Sequence, residues 1–164
     1  MAEVDARDRT APLEPRDVAL TRLDTSLGFL LRLVQVGVFQ AFYDDLGPLG
    51  LRPGEFSVLW VLSLNPGVRQ GVLAERLSIK RAHMAKMVRG FEERGLVARR
   101  VPEDDRRAVE LRLTEAGRAH VSAMATEFFA HDTRRPSRLT RGEQAQLIRL
   151  LRIEAGLATP GERE

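Results

Sequence analysis

Apolar residues recur along the first third of the chain at the spacing of a helix. They begin at Leu23 and continue through Leu27, Leu30, Leu31, Val34, Val38 and Phe42, and a second stripe runs through Phe29, Leu33, Val36 and Tyr43. A helix apolar on two sides must be covered on two sides. The run LGPLGLRPGE breaks the period with Gly47, Pro48, Gly50 and Pro53, as a loop does. Pro53 has the fixed φ and missing N–H that suit a first helical position, so it opens a second helix, PGEFSVLWVLSL, which Asn65-Pro66-Gly67 ends.

The stretch RQGVLAERLSIKRAHMAKMVRGFEERG divides into two helices near Ser78. Leu73 and Leu77 form the buried face of the first, and Ser78 has the side-chain oxygen to cap the second. In that second helix, over 80–94, Met84, Met87, Val88 and Phe91 share one side, while Lys80, Arg81, His83, Lys86 and Arg89 lie on or beside the other. Gly95 closes it as a C′ residue. A short helix, a turn and an amphipathic helix with a cationic outer face make the helix-turn-helix plan. Two segments of alternating character follow, LVARRV and AVELRL, which predict a hairpin with Glu103–Arg107 at its tip. Thr114 caps a long helix through EAGRAHVSAMATEFFAHD, and Thr140 with Glu143 has the spacing of a capping box that starts a last amphipathic helix.

These elements predict a mainly α fold with a small β-hairpin. A mobile arm covers 1–18, an N-terminal dimerisation helix 19–50 and a winged helix-turn-helix lobe 51–113. C-terminal dimerisation helices over 114–158 and a tail over 159–164 complete the expected order.

Charge sharpens this picture because it is unevenly spread. Residues 1–60 carry 6 Lys or Arg against 9 acids, residues 69–112 carry 12 against 7, and residues 113–164 carry 8 against 7. A basic segment confined to the helix-turn-helix and hairpin fits a nucleic-acid footprint, though it also fits a solvated face. A narrow minor groove concentrates negative potential, which gives a reason for Arg106 and Arg107 to sit on a thin β-ribbon. The outer face of helix 80–94 needs donors, since phosphates and guanine edges accept.

The other chemistry is sparse. With no cysteine the chain has no disulfide frame, thiolate metal site or thiol redox sensor. His83, His120 and His131 show no metal-ligand spacing, so neither metal nor cofactor is expected. There is no P-loop, GxGxxG, GxSxG or HExxH, and the chain does not read as an enzyme. The run GFLLRLVQVGVF is cut by Arg32 and Gln35 and is too short to span a membrane, and the N-terminus lacks the apolar core of a secretory signal, so a cytoplasmic protein is expected.

The stretch LAERLSIKRAHMAKMVRGFEERGLVARRVPEDDRRAVELRLTEAGR resembles the DNA-binding lobe of the multiple-antibiotic-resistance regulator family, MarR. The likeness rests on Gly95-Leu96-Val97 entering a strand, Asp105-Arg106-Arg107 at the wing tip, and Leu113-Thr114 with Gly117 entering a long helix. The helix order extends it over roughly residues 23–158. The resemblance implies a homodimeric transcription regulator, most often a repressor, on a pseudo-palindromic DNA operator. By the same resemblance Arg107 enters the minor groove, Asp105 holds a neighbouring arginine, and Ser78, Lys80, Arg81, His83, Lys86, Arg89 and Arg106 complete the DNA contacts. Ala85 stands where many members have a hydroxyl, and Gly90 replaces a better helix former at a cost of about 1 kcal/mol.

Similar proteins respond to small aromatic acids, phenols or their derivatives. Arg32, Gln35, Phe39 and Tyr43 on the first helix, with Trp60 on the second, could line an apolar pocket with a few polar groups. Arg32 as a surface charge and the aromatics as core are the other reading. Arg134, Arg135 and Arg138 could hold the phosphates of an aryl-CoA thioester, or form a solvated loop. A winged-helix module that binds protein, and a regulator with no small-molecule effector, remain as alternatives. The first of these would not need the cationic face.

Overall fold

The computed structural model describes residues 14–50, 52–101, 109–134 and 136–157. Two 3-10 turns, Pro15–Asp17 and Thr21–Thr25, precede helix α1, Leu27–Leu46. Leu23, first in the apolar period, therefore lies in a turn. Extended backbone at Ser26, φ −80° and ψ 116°, separates that turn from the helix. Helix α2, Pro53–Leu64, begins at the proline, as its chemistry demands. Helices α3, Gln70–Arg76, and α4, Arg81–Glu93, form the helix-turn-helix, and α5, Glu115–Arg134, and α6, Arg141–Glu154, complete the helical elements.

Three short strands, β1 (Val68–Arg69), β2 (Val97–Arg100) and β3 (Glu110–Leu113), form an antiparallel sheet in the order β1-β3-β2. The β2–β3 register runs from Val97 opposite Leu113 to Arg100 opposite Glu110, which is the stem of the expected hairpin. Strand β1 was not foreseen. Its two residues pair Val68 with Leu111, and two residues are too few to show an alternation.

Ser78 does not cap α4, contrary to its sequence reading. It sits in the left-handed region at φ 53°, as the C′ residue of a Schellman turn that ends α3. The Ser78 N–H donates to the Glu75 carbonyl at 3.0 Å and the Ile79 N–H to the Ala74 carbonyl at 2.8 Å. Those bonds satisfy the last carbonyls of α3 and place Lys80, in extended backbone without a side-chain cap, at the start of α4. Gly95, at φ 68°, ends α4 with the same pair of bonds, as expected.

The main core joins α2, α3, α4 and the sheet around Val58, Leu62, Leu73, Met84, Val88, Phe91 and Leu111, each at most 1% exposed. A smaller cluster of Phe42, Leu46 and Phe56 joins α1, α2 and α5. Thr114 fastens α5 to the lobe. Its hydroxyl accepts from the Gly117 N–H at 2.9 Å and donates to the Gly95 carbonyl at 2.6 Å, while its N–H donates to the Leu96 carbonyl at 3.0 Å. Gly117 is buried against that carbonyl so closely that a Cβ there would collide with the Leu96 oxygen. At the other end Thr140 and Glu143 form the expected capping box of α6.

Exposed large apolar side chains concentrate on two elements: Leu27, Leu30, Leu31, Leu33, Val34, Val36 and Phe39 on α1, and Leu147, Ile148, Leu150 and Ile153 on α6. Helix α6 has no buried residue at all.

Candidate nucleic-acid interface

Helix α4 is amphipathic in the sense its sequence requires. Met84, Val88 and Phe91 are buried on one side, and Ser78, Lys80, Arg81, His83, Lys86 and Arg89 are exposed around the turn and the opposite side. Among the described residues, no carboxylate pairs with Lys80, Arg81, Lys86 or Arg89. Unpaired, exposed donors on a rigid helix are what a polyanion requires. The wing stem is tied to the same helix, because Arg99 on β2 donates to Glu92 on α4 at 2.7 Å. Residues 102–108 lie outside the described residues, and with them Asp105, Arg106 and Arg107.

Beside this face lies a cleft of about 550 Å³, lined by Gly50, Arg52 and Glu55 from the start of α2 and by His83, Lys86, Met87, Gly90, Phe91 and Arg94 from α4 and its end. Glu55 binds Arg94 at 3.0 Å and lies 3.5 Å from Arg52. Arg94 also sits 6.0 Å from the Phe91 ring centroid, within cation–π reach. Sequence reading missed Arg52, Glu55 and Arg94, because Glu55 and Arg94 are 39 positions apart and no local spacing links them.

The residues expected to hold an effector are less gathered. Arg32, Gln35, Phe39 and Tyr43 are exposed along α1, and Trp60 is half-buried in α2. Trp60 stacks on Phe56 at 6.0 Å and meets the edge of Phe129 at 4.9 Å, while Phe56 stacks on Phe128 at 4.1 Å. None of the five lines the cleft beside α4, nor a second cleft of about 270 Å³ bounded by Leu62, Ser63, Pro66, Arg112, Leu113 and Arg118. Arg134 is exposed, donates to the Ala130 carbonyl at 3.2 Å and lies 3.6 Å from Glu127. Arg138 is exposed in the link to α6, and Arg135 lies outside the described residues.

His131, unremarkable in sequence, is buried on α5 beside Phe42. Its Nδ1 lies 3.0 Å from the Asp45 carboxylate of α1, and its buried Nε2 has no hydrogen-bond partner among the described residues. Among the described residues no three side chains are grouped to hold a metal, and no helix is long and apolar enough to cross a membrane.

The winged helix-turn-helix agrees with the proteins this chain resembles. The MarR family model matches residues 51–109, from the start of α2 to the start of β3. An HTH-type transcriptional repressor of Mycobacterium tuberculosis is 34% identical over 128 residues, which cover 78% of this chain and 92% of that one. The chain belongs to the MarR family.

Solved structures of MarR-type regulators agree. The transcriptional repressor CouR, bound to a 23-mer DNA duplex, is 35% identical with a TM-score of 0.75, covering 84% of this chain and 98% of that one. A MarR family protein of Mycobacterium tuberculosis in complex with p-aminosalicylic acid is 32% identical with a TM-score of 0.62, covering 79% and 98%. This MarR-family chain is thus a DNA-binding transcription regulator of winged-helix form.

Proposed function

We propose that this chain is a homodimeric repressor that leaves its operator when a small aromatic acid, a phenol or an aryl-CoA thioester binds. The observation that carries DNA recognition is the row of exposed cations on α4, without carboxylate partners among the described residues and fastened to the wing stem through Arg99 and Glu92. Lys86 and Arg81 read or brace the major groove, and Arg107 enters the minor groove. The dimer is supported by the exposed apolar faces of α1 and α6, which a second copy would cover. A two-fold dimer then calls for a pseudo-palindromic site with half-sites about 34–36 Å apart.

The effector class is supported by the relative that binds p-aminosalicylic acid and by the composition of α1, where Arg32 and Gln35 stand among apolar neighbours. A carboxylate would pair with Arg32, and Phe39, Tyr43 and Trp60 would cover a ring once a second α1 closes over the first. Arg134, Arg135 and Arg138 would take the phosphates of a thioester. Such a ligand must bind the DNA-incompetent state more tightly than the competent one. A duplex selected by the protein from a random pool should be released by salicylate or a cinnamoyl-CoA analogue, and Arg32→Ala should blunt that release. A panel of aromatic acids and thioesters that leaves the complex intact would overturn the effector reading. A protein that selects no duplex would overturn the repressor reading.

A further inference from the structure

We propose that the cleft between the start of α2 and α4 seats one phosphate of the DNA backbone between Arg52 and Arg94, with Glu55 as the resident counter-charge that DNA displaces. The proposal rests on the DNA-binding reading and assigns residues that the reading does not use.

Three observations meet at this place. The cleft continues the DNA face, because His83 and Lys86 line it along with Arg52 and Arg94. Its charges do not balance, since among the described residues that line it Arg52, Lys86 and Arg94 stand against Glu55 alone. Its wall also carries Gly90, inside a helix in which most other positions are better helix formers. Gly90 does not have a positive φ, and a Cβ there would meet nothing within 4 Å. Nothing in the chain's own packing therefore calls for glycine, whereas a backbone approaching α4 closely would.

Glu55 is half-buried and holds Arg94 at 3.0 Å and Arg52 at 3.5 Å. In the free protein it holds both guanidinium groups beside the cleft that the two arginines line. A phosphate oxygen entering the cleft meets those same donors and is repelled by the Glu55 carboxylate at short range. The carboxylate thus positions the two arginines and weakens every DNA complex by a similar factor, whatever the base sequence.

The test turns on sign. If the Glu55–Arg94 pair only braces α2 against α4, removing either partner should weaken DNA binding in the same direction. On the proposal the two removals act oppositely. Full-length wild type, Glu55→Gln, and Arg52→Gln with Arg94→Gln would be titrated by fluorescence anisotropy. The probes are a duplex selected by the wild type and a scrambled duplex of equal length, over a salt series. Glu55→Gln should bind both probes more tightly, and its plot of log affinity against log salt should steepen by up to about 0.9, the value of one phosphate. A fourfold rise in salt would then cost it up to about 3.5 times more affinity than it costs wild type. The double arginine variant should bind both more weakly with a shallower slope. Weaker binding by Glu55→Gln, or an unchanged slope in the double variant, overturns the proposal. A wild type that selects no duplex overturns the DNA-binding reading with it, whereas wild-type binding with same-sign variants removes the cleft alone.

Discussion

Alanine at Gly117 and alanine at Gly90 should move stability in opposite directions, although both glycines lie inside helices and neither has a positive φ. At Gly90 the added methyl meets nothing within 4 Å, so only helix propensity changes, and the variant should gain about 1 kcal/mol. At Gly117 the methyl would overlap the Leu96 carbonyl oxygen and lie 2.9 Å from its carbon. That oxygen cannot retreat freely, because it accepts from the Thr114 N–H at 3.0 Å, while the Leu96 N–H is held by the Phe91 carbonyl at 2.9 Å. Forcing a methylene-sized group into packed surroundings costs about 1–3 kcal/mol. A weakened buried hydrogen bond adds about 1 kcal/mol, and the propensity gain returns about the same. The net loss is about 2 kcal/mol, which for a chain of this length lowers Tm by about 4–8 °C, against a rise of about 2–4 °C for Gly90→Ala. Thermal unfolding followed by circular dichroism at 222 nm, at one fixed protein concentration, measures both. A Gly117→Ala protein at least as stable as wild type would refute the reasoning, because the close approach at Leu96 would then not constrain α5.

Thr114→Ala removes both the cap of α5 and the bond to Gly95, and should cost about 1–2 kcal/mol in the same assay. Glu143 has its pKa lowered by hydrogen bonds from the Thr140 backbone and then its hydroxyl. A depressed carboxylate stabilises above its unfolded pKa and ceases to do so as pH falls through the folded one. Amide protection factors over the first turn of α6, each taken against the intrinsic rate at the same pH, should therefore fall as the solution is acidified through and below the ordinary glutamate range, and Glu143→Gln should flatten that dependence. His131→Phe removes the buried, unpartnered Nε2 while keeping a ring against Phe42, so Tm should hold or rise; a fall beyond that of an ordinary surface change would mean that the bond to Asp45 matters more than its exposure suggests. Val34→Glu with Leu150→Glu places charges on the two exposed apolar faces, and sedimentation should show a monomer; a persistent dimer would put the interface elsewhere.

Where local chemistry decides structure, the sequence was legible. Pro53 opens α2, Gly95 closes α4, and Thr140 with Glu143 starts α6, because each residue acts on backbone within four positions of itself. Ser78 misled for a related reason. A serine between two helices can cap the second or turn the end of the first, and only the path of the chain into Ile79, half-buried against the main core, selects the turn. The cationic face of α4 was readable from helical spacing. The Arg52–Glu55–Arg94 cluster and the His131–Asp45 pair were not, since the partners meet only after α2 and α4, or α1 and α5, have packed. The wing tip could be read for charge alone, and the proposed effector residues of α1 are exposed in one chain.

The fastening of α5 has a mechanical consequence. Thr114 grips Gly95 and Leu96, Gly117 lies on the Leu96 carbonyl, and Gly95 is the residue on which α4 ends. The joint between the two helices has no slack. Twenty residues of α5 make a rod about 30 Å long, so pushing its far end sideways by about 3 Å tilts the near end by about 6°. Although the hairpin separates the two helices in sequence, that end bears directly on Gly95 and Leu96 at the close of α4. A displacement at the far end should therefore be felt at the C-terminal end of α4 through these contacts.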